Sequence, residues 1–266
     1  MKETVSAAIQ RWQRGAGIKD QTDDIVVEEP LEIRVDGRSI SVTMRTPGHD
    51  DELAAGFLLS EGLVRSRTDI GDIAPEWMRD ECNIIDVRLA EGVTFDFESL
   101  SRHVFASSSC GVCGKASIDS VHLHFPPIES DARIAAETLV SLPERLGQNQ
   151  EAFQRTGGLH AAAVFDLDGK LILLREDVGR HNAVDKVLGR ALLDGLLPFG
   201  RHVLMVSGRA SFEIMQKALA GRLPIVAAVS APSSLAVQFA DESRQTLVGF
   251  VRDERMNVYC GGERLL

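Results

Sequence analysis

Lysine is scarce in this chain. Of 29 cationic residues only 6 are lysines and 23 are arginines; with 39 acidic residues the formal net charge is −10. That sign excludes general nucleic-acid binding, which needs a positive field to displace counterions, but it leaves room for a local basic pocket. Long apolar runs are also missing. None reaches the roughly 18 residues of a membrane span, so no membrane segment is expected. Residues 1–15 are polar, interrupted by Gln10, Arg11 and Arg14, and lack the apolar core of a signal peptide. A cytoplasmic location is therefore expected. Cysteine is limited to Cys82, Cys110, Cys113 and Cys260. Four in a chain of 266 residues make no disulfide framework, and in the cytoplasm they are expected to be reduced.

What remains is a globular composition, 44% hydrophobic and 26% charged. A chain of this length buries a core without disulfides or a structural metal and has room for two domains. Residues 1–24 are polar and unpatterned, and read as a flexible arm. Residues 25–135 read as an N-terminal α+β domain. In it Leu31, Ile33 and Val35 alternate with polar residues, Asp36-Gly37 turns, and Ile40, Val42 and Met44 alternate again, predicting a hairpin with one buried face. A helix capped at His49 or Asp50 follows to about Leu63, with Leu53, Phe57 and Leu58 on one face, and strands are expected over 83–89 and 93–97. Residues 131–155 read as polar and helical, broken at Pro143, and as a connection between domains.

Residues 136–266 read as a C-terminal α/β domain. Strands predicted over 159–165, 171–174, 203–206, 225–229 and 247–251, with a last one ending at Tyr259, alternate with polar loops and helices. That pattern predicts a mostly parallel sheet with helices on its faces. Ligands of such sheets bind beyond the carboxyl ends of the strands, and the loops there carry Arg175, Arg180, His181, Arg209, Arg252 and Arg255. Helices opening at Ser211 and at Ser233-Ser234 offer backbone N–H groups and a positive dipole end suited to phosphate. Together these predict a cleft for a phosphorylated, nucleotide-like ligand. The bland alternative is that the serines are only caps and the arginines pair with Glu176, Asp177 and Glu254. Standard nucleotide motifs are absent. Gly114-Lys115 has Ser109 and Ala116 where a Walker loop needs Gly and Ser or Thr, and Gly15-Ala16-Gly17 meets Asp20 where a third Gly belongs.

Cys110 and Cys113 stand in Ser107-Ser108-Ser109-Cys110-Gly111-Val112-Cys113-Gly114-Lys115, a run suited to an accessible loop. A cysteine beside Lys115 and free N–H groups can hold a lowered pKa and act as a thiolate nucleophile. Spacing alone leaves three readings open: a zinc site completed by His103, His122 or His124, a redox dithiol, and a persulfide carrier. Zinc deaminase chemistry is excluded, because none of the seven histidines is followed two residues later by Glu and Cys110 follows Ser109.

Several runs taken in order resemble the FdhD family of formate dehydrogenase accessory sulfurtransferases. They are the cysteine run; Gly157-Gly158-Leu159-His160; Arg175-Glu176-Asp177-Val178-Gly179-Arg180-His181-Asn182-Ala183; Ser207-Gly208-Arg209-Ala210-Ser211-Phe212-Glu213; Ser230-Ala231-Pro232-Ser233-Ser234-Leu235; and Gly249-Phe250-Val251-Arg252. The resemblance runs from about residue 25 to the C-terminus. It implies a cytidine-deaminase-like α/β fold for the C-terminal domain beside the smaller N-terminal α+β domain, and a homodimer. It implies that sulfur passes from a cysteine desulfurase to the molybdenum bis-guanine-dinucleotide cofactor before that cofactor enters formate dehydrogenase. Cys110 would be the persulfide carrier, with Cys113 tuning or resolving it or only supporting the loop, and Cys260 a spectator or a second thiol. The family's cofactor-binding stretch falls on Phe250, Val251, Arg252, Asp253, Glu254 and Arg255. The arginine edge, with Arg180, His181, Ser207 and Arg209, would hold the guanine nucleotide ends, with GDP a partial mimic. No metal site is expected. A zinc-stabilised cofactor chaperone and a dithiol oxidoreductase are the competing readings.

Overall fold

The structure is a computed structural model that describes residues 3–78, 81–93 and 124–266. These residues form twelve strands and six α-helices. No helix among them is long and apolar enough to cross a membrane.

The expected flexible arm is corrected to a hairpin. β1 (Thr4–Gln13) and β2 (Gly17–Val26) pair antiparallel over their whole length, from Thr4↔Val26 to Gln13↔Gly17. The turn is made by Gly15 and Gly17 at φ 84 and 73. Its cross-strand pairs are largely polar, such as Ser6 Oγ to Asp24 at 2.7 Å and Gln10 to Asp20 at 3.0 Å. No apolar alternation marks such strands in the sequence. The base is tied down by Val27 N–H donating to Glu3 C=O at 2.9 Å and by Val26 against Gly158.

A second sheet has the order β4-β3-β6-β5, from β3 (Glu29–Val35), β4 (Arg38–Arg45), β5 (Ile70–Met78) and β6 (Glu81–Leu89). The Asp36-Gly37 turn is present, both residues at positive φ as a tight hairpin requires. Its single buried face is only half right. Leu31, Ile33 and Val35 are buried, whereas Val42 and Met44 are 64% and 47% exposed. A register shift between Ile33 and Arg34 sets Ser41 opposite Ile33 and Thr43 opposite Leu31, which turns Val42 and Met44 outward. α1 (Asp50–Ser60) follows, with Leu53 and Leu58 buried. The strand expected over 93–97 falls almost wholly outside the described residues.

The third sheet has the order β12-β11-β10-β9-β7-β8, from β7 (His160–Asp166), β8 (Leu171–Asp177), β9 (His202–Val206), β10 (Ile225–Ala228), β11 (Thr246–Arg252) and β12 (Arg255–Cys260). β9, β10 and β11 are parallel, β7 runs against β9, and β8 runs against β7. β8 therefore points the same way as β9, and the class is mixed α/β. α2 (Ala136–Gln148) covers one face, with Leu139, Leu142 and Leu146 against Phe165, Met205 and Val248. α3 (Glu151–Thr156) is one short turn leading into β7. α4 (Arg180–Leu193), α5 (Phe212–Ala220) and α6 (Ser234–Glu242) cover the other face. Two expectations are corrected here. Pro143 lies inside α2 without ending it, because three buried leucines outweigh the roughly 3 kcal/mol that an interior proline costs. The segment is also a packed layer of the sheet rather than a connector.

The buried face of the four-stranded sheet and the α4–α6 face of the six-stranded sheet share one apolar cluster. Its centre is the crossing of α1 and α4. A Cβ on Gly56 would lie 1.8 Å from Asp185 C=O oxygen, and one on Gly189 would lie 1.7 Å from that of Glu52. No side chain fits there, so both residues must be glycine. The crossing is fastened by Glu52 of α1, which is 3% exposed and accepts from Arg175 of β8 at 2.5 and 2.7 Å, with His49 at 3.3 Å and Arg190 of α4 at 3.6 Å. Burial alone would raise its carboxyl. The hydrogen bonds from His49 and Arg175, with the charge of Arg175, overcome this and hold it at about 2.

Gly189→Ala is expected to destabilise the protein by about 3 kcal/mol or more, above the usual overpacking range because backbone rather than a movable side chain blocks the methyl. Denaturant titration reads this. Glu52 contributes stability present above its ordinary 4.5 and lost as pH falls toward about 2. Glu52→Gln should therefore cost about 3 kcal/mol at neutral pH, and the gap to wild type should narrow steadily below about pH 4.5.

Candidate functional site

The carboxyl ends of β8, β9, β10 and β11 share one edge, and because β7 and β12 run the other way, their first residues lie there too. The three loops expected to bring Arg180, Arg209 and Arg252 to one edge do so. Four strand spacings separate β8 from β11, roughly 19 Å, so the edge is a long trough rather than a point.

Its β8–α4 end is built around Asp177, which is fully buried. The carboxylate accepts from Lys186 Nζ at 2.7 Å, Thr46 N–H at 3.1 Å, Gly179 N–H at 2.8 Å and Asn182 Nδ2 at 2.9 Å. Asn182 also donates to Met44 C=O at 2.7 Å, and Lys186 to Thr46 C=O at 2.8 Å. The last residues of β4 thus brace the first turn of α4 and fix where Arg180 and His181 stand. His181 Nε2 lies 3.0 Å from Ser211 Oγ and 2.8 Å from Glu213 Oε2. That contact draws Ser211 away from capping α5, whose first turn has no side-chain cap. The Glu213 carboxyl is lowered, first by the hydrogen bond from His181. Ser233 does cap α6, accepting from Ala236 N–H at 3.2 Å.

The arginines divide. Arg175 is bound to Glu52 and belongs to the helix crossing. The side chains of Arg180 and Arg209 make no hydrogen bond or ion pair among the described residues, and Arg180 Nε is buried without an acceptor. The carboxylates that might have neutralised them are engaged elsewhere. Glu176 accepts from Ala152 and Phe153 N–H at the start of α3, and Asp177 holds Lys186.

At the β11–β12 end, Phe250 has left-handed backbone at φ 52, in a bulge between Gly249 and Arg252. An aromatic residue held there is strained, and such strain concentrates at binding sites. Arg252 lies over the Phe250 ring, 5.8 Å from its centroid. Asp253 and Glu254 form the exposed tip, both at positive φ, and Arg255 pairs with Asp253 at 3.6 Å. Two expected site residues are less available. Val251 is buried in the α2-side core. Ser207 Oγ accepts from Ala161 N–H at 2.9 Å, closing the β7–β9 ladder, so one of its two lone pairs is already engaged. Cys110 and Cys113 lie outside the described residues. Cys260 is half-buried behind β11, its thiol raised by burial.

Sequence reasoning did not select Lys186 or the bracing role of Asp177 and Asn182. The signal was there: an acid ending a strand, an amide on the first turn and a lysine one turn later. It also passed over His160, whose place at the edge depends on β7 running backwards.

A model of the FdhD/NarQ family matches residues 26–266. The chain belongs to this family. It is 50% identical over 264 residues to a protein of Streptomyces coelicolor, covering 95% of this chain and 92% of that one. It is 51% identical over 253 residues to one from Mycobacterium tuberculosis, covering 91% and 92%. Both relatives carry the name sulfur carrier protein FdhD. The fold is also that of the crystal structure of a candidate formate dehydrogenase accessory protein from Desulfotalea psychrophila, with a TM-score of 0.78, 25% identity and 100% of both chains covered.

Proposed function

We propose that this chain is a cytoplasmic sulfur carrier in formate dehydrogenase maturation. It takes persulfide sulfur from a cysteine desulfurase on Cys110 and passes it to a molybdenum bis-guanine-dinucleotide cofactor held at the arginine edge. Family membership at about half identity supports the sulfur-carrier part. The observation that carries the cofactor part is an edge with arginines lacking partners among the described residues, Arg180 and Arg209, in a chain of net charge −10. Guanidinium groups without partners among the described residues, on the same edge as a strained aromatic, are suited to phosphates and a purine. The reversed β7 beside parallel β9, β10 and β11 supports reading the C-terminal half as cytidine-deaminase-like. The same reading includes a homodimer, for which the edge strands β4 and β12 offer exposed Val42, Met44 and Val258.

In the loading step the Cys110 thiolate attacks the outer sulfur of the donor persulfide. A new S–S bond forms on Cys110, the donor's S–S bond breaks, and the donor leaves as its thiolate. The chain's own residues then hold the acceptor. Arg180, Arg209 and Arg252 neutralise phosphates along the trough, and Phe250 offers a stacking face. The loading step exchanges one S–S bond for another with no net change of oxidation state, so it needs no external redox partner.

Incubation with a desulfurase and cysteine should add the mass of a single sulfur, removable by reductant. Cys110→Ala should abolish that gain, whereas Cys113→Ala should retain it; the reverse pattern would exchange their roles. A protein that stays unmodified but holds tightly bound zinc would favour the cofactor-chaperone reading.

Calorimetric titration with GDP tests the edge. Wild type should bind with an affinity that falls as salt rises, and Arg209→Ala should weaken binding by roughly 1.5–3 kcal/mol. Persulfide loading should be untouched by that change. Equal binding by variant and wild type would detach the edge from the cofactor.

A further inference from the structure

His160 opens β7, and the reversed direction of that strand sets it between the carboxyl ends of β8 and β9. Its ring lies against Gly208: a Cβ there would stand 3.4 Å from His160 Nδ1 and 3.7 Å from Arg180 Cδ. His160, Gly208 and Arg180 thus form one corner of the trough. Neither ring nitrogen of His160 has a hydrogen bond among the described residues, and none of them supplies an acceptor for the buried Arg180 Nε. Two side chains that carry N–H donors meet around a residue with no side chain of its own, and the missing partner is an acceptor.

The charged groups facing His160 explain why it stands unprotonated without one. Arg180 and His181 come from α4 and Asp177 from the end of β8. Burial lowers the His160 pKa first, the positive charges of Arg180 and His181 lower it further, and only Asp177 opposes them. The Asp177 carboxylate is already surrounded by Lys186, two backbone N–H groups and Asn182. Glu213, from α5, is committed to His181.

We propose that His160 and Arg180 together receive a phosphate group, and that His160 takes up a proton from solvent as the phosphate's negative charge arrives. This rests on the nucleotide reading of the trough given above and names the corner that holds the phosphate. The physics is a change of sign. Before binding, the imidazolium would face cations in a partly desolvated corner; after binding, it faces an anion that accepts its N–H. Each unit by which binding raises the His160 pKa makes the ligand about tenfold tighter at low pH than at high pH.

The probe is GDP, and the first measurement needs no variant. The His160 ring resonance of wild type, followed by NMR from about pH 5 to pH 8.5, should titrate below an ordinary histidine and move up by a unit or more with saturating GDP. Calorimetry in buffers of different ionisation enthalpy should show net proton uptake near pH 7. His160→Gln keeps a donor of similar reach, and should bind GDP with less proton uptake and a flatter pH dependence. The residual slope in that variant belongs to the phosphate's own ionisation. Without ligand, Arg180→Gln should bring the His160 titration back toward the ordinary value. If wild type binds GDP yet His160 does not shift, or if His160→Gln takes up as many protons as wild type, the inference is overturned while the nucleotide reading stands. If folded wild type binds no GDP, both fall together.

Discussion

The rest of the structure depends on two helix backbones being allowed to touch. At the α1–α4 crossing, Gly56 and Gly189 let each helix press against a carbonyl of the other, at distances where even a methyl group would overlap main-chain oxygen. That approach merges the buried face of the small sheet with one face of the large sheet into a single core. Polar contacts ring the crossing without entering its centre. Glu52 holds Arg175 on one side. On the other, Lys217 of α5 donates to Asp185 of α4 at 2.8 and 2.9 Å and to Ser60 of α1 at 3.0 Å. α4 is therefore fixed along its length. Its first turn carries Arg180 and His181, so the aim of the site is inherited from the packing of the two halves.

The acidic balance of the chain sharpens the contrast at the edge. Many cations elsewhere are neutralised: Arg34 by Glu32 and Glu76, Arg45 by Asp50 and Glu29, Lys186 by Asp177. In a chain with 39 acidic residues, a cation that forms no ion pair among the described residues is held apart by the fold. Arg180 shows how. The nearest carboxylates point into other networks, and the glycine at 208 opposite it removes the side chain that would otherwise fill the corner. Local rules of stability are relaxed here, at Phe250 as well as at Arg180, in the pattern expected where function competes with folding.

Much of this was legible in the residues, and the failures have specific causes. The C-terminal strands and helices announce themselves by apolar runs bounded by polar loops, because both faces of the sheet are covered. The arginines at their ends could be assigned to one edge without knowing strand order, since β8, β9, β10 and β11 all point the same way. The β1–β2 hairpin was invisible because both its faces are largely wet and its pairing is polar. Val42 and Met44 were misassigned because a bulge two residues from the turn reverses the faces of one strand and leaves no mark in the alternation. Pro143 misled because propensity is local, while the stripe of Leu139, Leu142 and Leu146 answers to the sheet beneath it. His160 depends on the direction of a strand, a global property that no window of sequence contains.

The reversed strand ties the trough to the chain that enters it. β7 is reached directly from α3, whose first N–H groups are held by Glu176 of the neighbouring strand. A strand has a period of two, so sliding β7 by one residue would put Leu159 or Ala161 where His160 stands and turn the imidazole to the opposite face of the sheet. The alanines Ala161, Ala162 and Ala163 that follow are almost featureless and would tolerate either register by shape alone. What forbids the slip is the clamp at its head, Glu176 on α3 and Ser207 on Ala161. The position of a single ring in the trough is thus indexed by a short helix on the rim, much as a ratchet tooth is held by its pawl.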